Sequence, residues 1–154
     1  MSEVWTVHKR TGLRVSDLGR VDTPRKGVHF GFDDVDKTNP YKGVSRHNRN
    51  WYVHRLVLEA FRPNPDPRRY DRVDHKDRIR SNNKISNLQW SNKYLNAMNQ
   101  DRYCVHQNPG GRWQARIRVY GQSYCLGTWP TEQDGITCIK ACRQGIYDLE
   151  DSKR

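Results

Sequence analysis

The stretch Val73-Asp74-His75-Lys76-Asp77, continued by Ser81-Asn82-Asn83, Asn87-Leu88-Gln89-Trp90 and Asn96, decides how this chain is read. Val73–Lys76 reads as a short strand, Asp77–Ser86 as a loop and Leu88–Trp90 as a second strand. Ser91 or Asn92 then caps a helix running through Asn99. Adjacent strand residues point to opposite faces, so Asp74 and His75 can flank one reacting group without competing for the same spot. Asp74 is a hard oxygen donor suited to Mg²⁺ or Mn²⁺, ions held by few protein groups and several waters. An imidazole, with an ordinary pKa of about 6.5, is half ready to take a proton at neutral pH and needs a partner to fix its tautomer. Asn87, at the head of the paired strand, is placed to orient His75 through its side-chain carbonyl. Asn96, on the following helix, is placed to complete a metal shell. Singly, an Asp-His pair reads as a turn or surface feature, and the asparagines read as turn formers. In combination they supply an oxygen ligand, a base and an orienting group.

Working outward, Leu56, Val57, Ala60 and Phe61 fall at helical spacing, so His54–Phe61 reads as a short amphipathic helix. Arg62-Pro63-Asn64-Pro65-Asp66-Pro67 must end it, because proline lacks a donor and disfavours helix in the residue before it. His54, beside the apolar face, reads as structural or as a phosphate contact more than as a catalytic group. Lys42–Ser45 and Trp51–Val53 flank Arg46–Asn50 as a hairpin loop. The first forty residues are polar and turn-rich, with β-like runs at Val4–Val7 and around Leu13–Val21 and a turn at Ser16-Asp17-Leu18-Gly19.

Lys+Arg 28 against Asp+Glu 17 gives a formal net charge of +11, which favours a polyanionic partner because each basic contact to a phosphate releases counterions. Residues 1–100 hold +9 of that excess and residues 101–154 hold +2. The other reading of such charge is a solvated surface. No amphipathic helix with a long apolar face and no bilayer-length apolar run is present, so no membrane role is expected. No apolar stretch follows Met1–Arg10 as a signal peptide requires, and a cytoplasmic setting with reduced thiols is expected. Cys104, Cys125, Cys138 and Cys142 lack the paired spacing of a zinc site and read as small buried side chains.

Toward the end of the chain, Trp113, Ala115, Ile117 and Val119 alternate with Gln114, Arg116, Arg118 and Tyr120. The first set faces a core, and a helix beginning at Thr131 is available to cover it. The second set lies on an open face that either meets water or enters a major groove, where arginine reads guanine.

Taken together, "VHRLVLEAF-RPNP", "VDHKD", "SNN", "NLQW" and the Asn of "YLNAMNQ" resemble the HNH homing endonucleases of phages and mobile introns, whose core is a ββα-metal finger. The resemblance implies that Asp74 and Asn96 ligate one Mg²⁺ or Mn²⁺, that His75 is the general base and that Asn87 orients it. It further implies double-stranded DNA as partner, 5′-phosphate and 3′-hydroxyl products, and a monomer, phage-encoded and acting inside the host cell. Relatives commonly carry Gly-Asn after the "HKD" acid; here Arg78-Ile79-Arg80 follows, and Arg78 and Arg80 are placed to grip phosphates. "GRWQARI" and "LGTWPTEQDG" resemble the DNA-binding domain of plant ethylene-response factors, with Gly135 and Cys138 in place of preferred alanines. That resemblance assigns DNA contact to Arg112, Arg116, Arg118 and Tyr124. Arg25, Lys26, Lys42, Arg46 and Arg49 are further phosphate candidates. The expected fold is α+β, with a β-rich module over 1–53, the nuclease core over 54–100, and a three-stranded sheet plus helix over 101–154.

Overall fold

A computed structural model describes residues 2–33, 41–100 and 102–152; the 34–40 part of the expected N-terminal module lies outside the described residues. The chain forms two compact units, Met1–Asn92 and Lys93–Arg154. The division falls between Asn92 and Lys93.

In the first unit, β1 (Trp5–Val7), β2 (Arg14–Ser16), β3 (Val21–Thr23) and β4 (Gly27–His29) form an antiparallel sheet in sequence order. Its turn after β2 is closed by the Gly19 N–H on the Ser16 carbonyl at 3.0 Å, as the Ser-Asp-Leu-Gly run predicts. A second sheet joins β5 (Phe32–Asp33), β6 (Lys42–Arg46) and β7 (Arg49–Tyr52). The β6–β7 connection is tighter than the five-residue loop expected. Arg46 pairs with Arg49, and His47 and Asn48 alone make the turn, at φ 53° and 57°. Two consecutive left-handed residues match the twist of a hairpin, a geometry that glycine usually signals and this sequence does not.

Helix α1 (Val53–Phe61) buries Val53, His54, Leu56, Val57 and Leu58. It stops where expected: Arg62, before Pro63, is extended at φ −137° and ψ 85°. Beneath it, β8 (Arg72–His75) and β9 (Leu88–Ser91) pair antiparallel, with a 3₁₀ turn at Ile85–Asn87 leading into β9. The Trp90 indole N–H donates to the Arg62 carbonyl at 2.7 Å, tying β9 to the end of α1. Leu13, Val15, Val21, Val44, Leu56, Leu58, Tyr70 and Leu88 complete this core.

The second unit contains α2 (Lys93–Met98), β10 (Cys104–Gln107), β11 (Trp113–Val119), β12 (Gln122–Trp129) and α3 (Glu132–Asp151). The sheet order is β10-β11-β12. Ala115 and Ile117 are buried while Arg116 and Arg118 are exposed, so the period-two reading of this strand holds. Thr131 caps α3 by accepting from the Asp134 N–H at 3.2 Å. Gly135 has a packing reason: a Cβ there would lie 3.1 Å from Val105 Cγ1 and 3.5 Å from Ala115 Cβ. The glycine lets α3 lie close on the sheet, which is why an alanine is not needed there.

The cysteine reading needs correction. Cys104 and Cys125 are exposed, and Cys138 and Cys142 are half-buried, because the strand positions of the first two share the solvent face with Arg116. Among the described residues, no helix is long and apolar enough to cross a membrane.

Candidate active site

Asp74 and His75 end β8, opposite Gln89 and Leu88 of β9. Both are buried, Asp74 at 5% exposure and His75 at 3%. Burying an ionisable pair costs free energy unless each member is hydrogen-bonded. Asp74 meets this condition through Oδ2, which accepts from the Gln89 side-chain amide at 3.0 Å. This partner follows from register, since residue 74 faces residue 89, and the sequence reading did not single it out.

His75 Nε2 lies 3.1 Å from Asn83 Oδ1. An amide oxygen only accepts, so Nε2 carries the proton and Nδ1 carries the lone pair. Burial pushes the imidazole below its ordinary pKa, opposed by the Asn83 bond and by the negative charges of Asp74 and Asp77. His75 is therefore held neutral with a basic Nδ1, the state a proton acceptor requires.

The side chain of Asn87, expected to orient His75, bonds the loop that follows it. Its Oδ1 accepts from the Asp77 backbone N–H at 3.0 Å, and its Nδ2 donates to Asp77 Oδ1 and to the Asn82 carbonyl, both at 2.8 Å. The Lys76 N–H adds a bond to the Asn87 carbonyl at 2.9 Å. Asn87 sits in the 3₁₀ turn before β9, so its side chain reaches the base of the loop and clamps it shut. Asp77 receives further bonds from the Ile79 N–H at 2.8 Å and from Asn82 at 2.6 Å. Partial burial raises its pKa, but these hydrogen bonds outweigh that and hold it below the usual range.

The clamped loop also explains Arg78, which takes φ +65°. The left-handed conformation is costly for a side chain and persists only where its surroundings over-determine it. Here the Arg78 N–H donates to the His75 carbonyl at 2.8 Å. From the N-terminal sheet, the turn after β2 presses on the loop. The Ile85 N–H bonds the Asp17 carbonyl at 2.8 Å, and a Cβ on Gly19 would stand 2.7 Å from the Asn83 backbone. Gly19 thus sets the position of Asn83, and through it that of His75.

Aromatic rings surround the same histidine. Tyr41 stacks on His75 with centroids 5.9 Å apart and planes at 28°, and His54 meets it edge-on at 5.3 Å and 74°. Tyr41 and Tyr52 also contact His54, at 4.7 and 5.4 Å. The Arg80 guanidinium lies over the Tyr41 ring at 5.2 Å. His54 Nδ1 is buried without a hydrogen-bond partner. Burial, then the neighbouring His75 and Arg55, pushes its pKa down to about 3.

The remaining candidates fall elsewhere. Asn96 is half-buried on α2, in the second unit. In that unit Arg116, Arg118 and Tyr124 are exposed on the sheet; Arg118 Nε donates to the Gly121 carbonyl at 3.1 Å and the Tyr124 hydroxyl to Gln122 at 2.6 Å. Arg112 reaches the Thr128 carbonyl at 3.3 Å. A groove of about 460 Å³ beside them adds Lys93, Tyr94 and Arg102, which strand periodicity alone does not point to. In the first unit, Arg25, Lys26 and Arg46 line a groove of about 520 Å³ with His29 and His47. Lys42 is instead paired with Asp33 at 2.5 Å, and Arg49 is exposed beside the hairpin turn.

Residues 51–98 match the sequence model of a family described as HNH endonuclease, and that stretch contains Asp74, His75, Asn83, Asn87 and Asn96. An uncharacterized HNH endonuclease of Acanthamoeba polyphaga mimivirus is 33% identical over 85 residues, covering 54% of this chain and 25% of the relative. The chain thus spans about a quarter of the length of that relative. A solved structure of the HNH homing endonuclease I-HmuI, concerned with DNA binding and cleavage, aligns with a TM-score of 0.51. That alignment covers 98% of this chain and 91% of the other at 21% identity, a likeness of fold. The family model and the viral relative are thus both HNH endonucleases by description.

Proposed function

We propose that this chain is a metal-dependent, site-specific DNA endonuclease of the HNH homing type. The observation that carries the reading is the 3.1 Å bond between His75 Nε2 and Asn83 Oδ1, one residue from the buried Asp74; an amide oxygen there calls for the proton on Nε2 and the lone pair on Nδ1. In the reaction, Nδ1 takes a proton from water and the hydroxide attacks phosphorus in line. The bond from phosphorus to the 3′ oxygen breaks, and that oxygen leaves with a proton from solvent. The products are a 5′-phosphate and a 3′-hydroxyl.

The donors fit Mg²⁺ or Mn²⁺, because Asp74 is a carboxylate anchored through one oxygen by Gln89, and Asn96 offers an amide oxygen of equal hardness. An ion held by Asp74 and Asn96 would supply Lewis-acid stabilisation of the charge that develops at phosphorus and the leaving oxygen. Asn87 acts by clamping the loop that carries Asn83. Arg78 and Arg80 beside the site, and Arg112, Arg116, Arg118 and Tyr124 on the C-terminal sheet, contact double-stranded DNA. That sheet, with α3, serves as a domain of the ethylene-response-factor type, and the three segments 1–53, 54–100 and 101–154 divide recognition from cutting. The protein acts as a monomer in the cytoplasm of a host cell, encoded by a phage.

Incubation with plasmid DNA tests this. Cutting is expected with Mg²⁺ or Mn²⁺ and is expected to stop with EDTA. Tight binding without cutting, across metals and targets, would make the chain a DNA-binding regulator instead.

A further inference from the structure

We propose that Tyr41 and His54 are positioning residues of the cutting site, two rings from outside the β8–β9 pair that wall His75 and keep its Nε2 on Asn83. The proposal rests on the nuclease reading above and extends it. The Asn83 bond holds the imidazole at its Nε2 edge, and ring contacts bear on it besides. The two walls meet it from different directions. Tyr41 lies nearly parallel to His75, with planes at 28°, and His54 stands nearly perpendicular, at 74°. Ring centroids at 5.9 and 5.3 Å lie within the range where aromatic pairs attract.

The walls are themselves supported. Tyr52 stacks on His54 with planes at 10°, and Tyr41 touches both Tyr52 and His54, at 5.7 and 4.7 Å. His54 is 7% exposed, and its Nδ1 finds no hydrogen-bond partner. A buried nitrogen without a partner costs stability, so what His54 contributes at this place is the shape and face of its ring. Neither residue belongs to the acid–base and ligand set read from the sequence, and Tyr41 stands 34 positions before His75.

Four variants test the walls: Tyr41→Ala, Tyr41→Phe, His54→Ala and His54→Phe. Removing a wall is expected to lower kcat by about 10- to 100-fold, the scale of sub-ångström to ångström misplacement, with KM for DNA within about twofold. Phenylalanine is expected to restore the rate to within about threefold of the unsubstituted chain, and His54→Phe should also melt at higher temperature. The second readout needs no cutting: ¹⁵N shifts of the His75 ring should show one Nε2-protonated tautomer in the unsubstituted chain and both phenylalanine variants. A mixture is expected in the alanine variants. Tyr41→Ala, at a half-buried position, keeps the test open should His54→Ala unfold. Alanine variants with unaltered kcat and a single His75 tautomer would overturn the proposal, as would phenylalanine variants as slow as alanine. If the unsubstituted chain binds DNA and cuts none, the nuclease reading fails, and the His75 ring spectra alone decide the walls.

Discussion

In residues 1–92 Asp74, His75, Asn83, Asn87 and Gln89 are buried, and hydrogen bonds hold them in place. Asp74 meets Gln89, His75 meets Asn83, and Asn87 meets Asp77. In residues 93–154 the candidate DNA contacts, Arg116, Arg118 and Tyr124, stand exposed on a three-stranded sheet whose other face is packed under α3. The contrast teaches what each task requires. A proton acceptor must be held to a fraction of an ångström in one tautomer, which takes burial and a full set of partners. A phosphate or base contact must reach outward and adapt, and a long side chain on a firm strand does that with few fixed bonds.

The contrast can be broken most directly at Asn83. Asn83→Leu keeps the branched shape but removes the acceptor from Nε2, and single-turnover cleavage should fall about 100-fold, in keeping with the 10²–10⁴ typical of acid–base groups. Gly19→Ala should act through the same atom, because its Cβ would collide with the Asn83 backbone. An unaffected rate in both would mean that the buried network does not position the base. Asn87→Ala tests the clamp: several hydrogen bonds around Asp77 are lost, and stability should drop by about 1–3 kcal/mol in denaturant melts.

Acid gives a subtler probe of the same burial. His54 is pushed down to about 3 in the fold, against about 6.5 in the unfolded chain. Between those values the unfolded chain binds more protons, so this contribution to stability is complete above pH ~6.5 and is lost as pH falls toward 3. The melting temperature should decline over that window, and His54→Phe should flatten the decline. At the exposed sheet the expected effects are smaller. Arg116→Ala should weaken DNA binding by roughly tenfold or less and reduce the salt dependence of affinity by about one counterion, with the rate on bound DNA unaltered. A collapse of that rate would contradict the division of labour.

The sequence was legible where chemistry is local. The Val73–Lys76 and Leu88–Trp90 strands, the end of α1 at Arg62-Pro63 and the alternation over Trp113–Val119 follow from period and from proline. Asp74 and His75 could be placed side by side for the same reason. The partner of His75 was not legible, because Asn83 and Asn87 are both loop asparagines. The choice between them is made by the Asp77 clamp and by the Gly19 turn, 64 positions away. The His47-Asn48 turn was missed because neither residue is a glycine. The cysteines were misjudged because exposure in a three-stranded sheet depends on which face the helix covers.

The central claim is that His75 takes the proton that permits cutting. It is tested most directly by measuring cleavage and binding of the same DNA by the unsubstituted chain and His75→Ala, with Mg²⁺ present. The account predicts EDTA-sensitive cutting that falls by about a thousandfold in the variant while the dissociation constant stays within a few fold. Cutting by His75→Ala at the unsubstituted rate would contradict it.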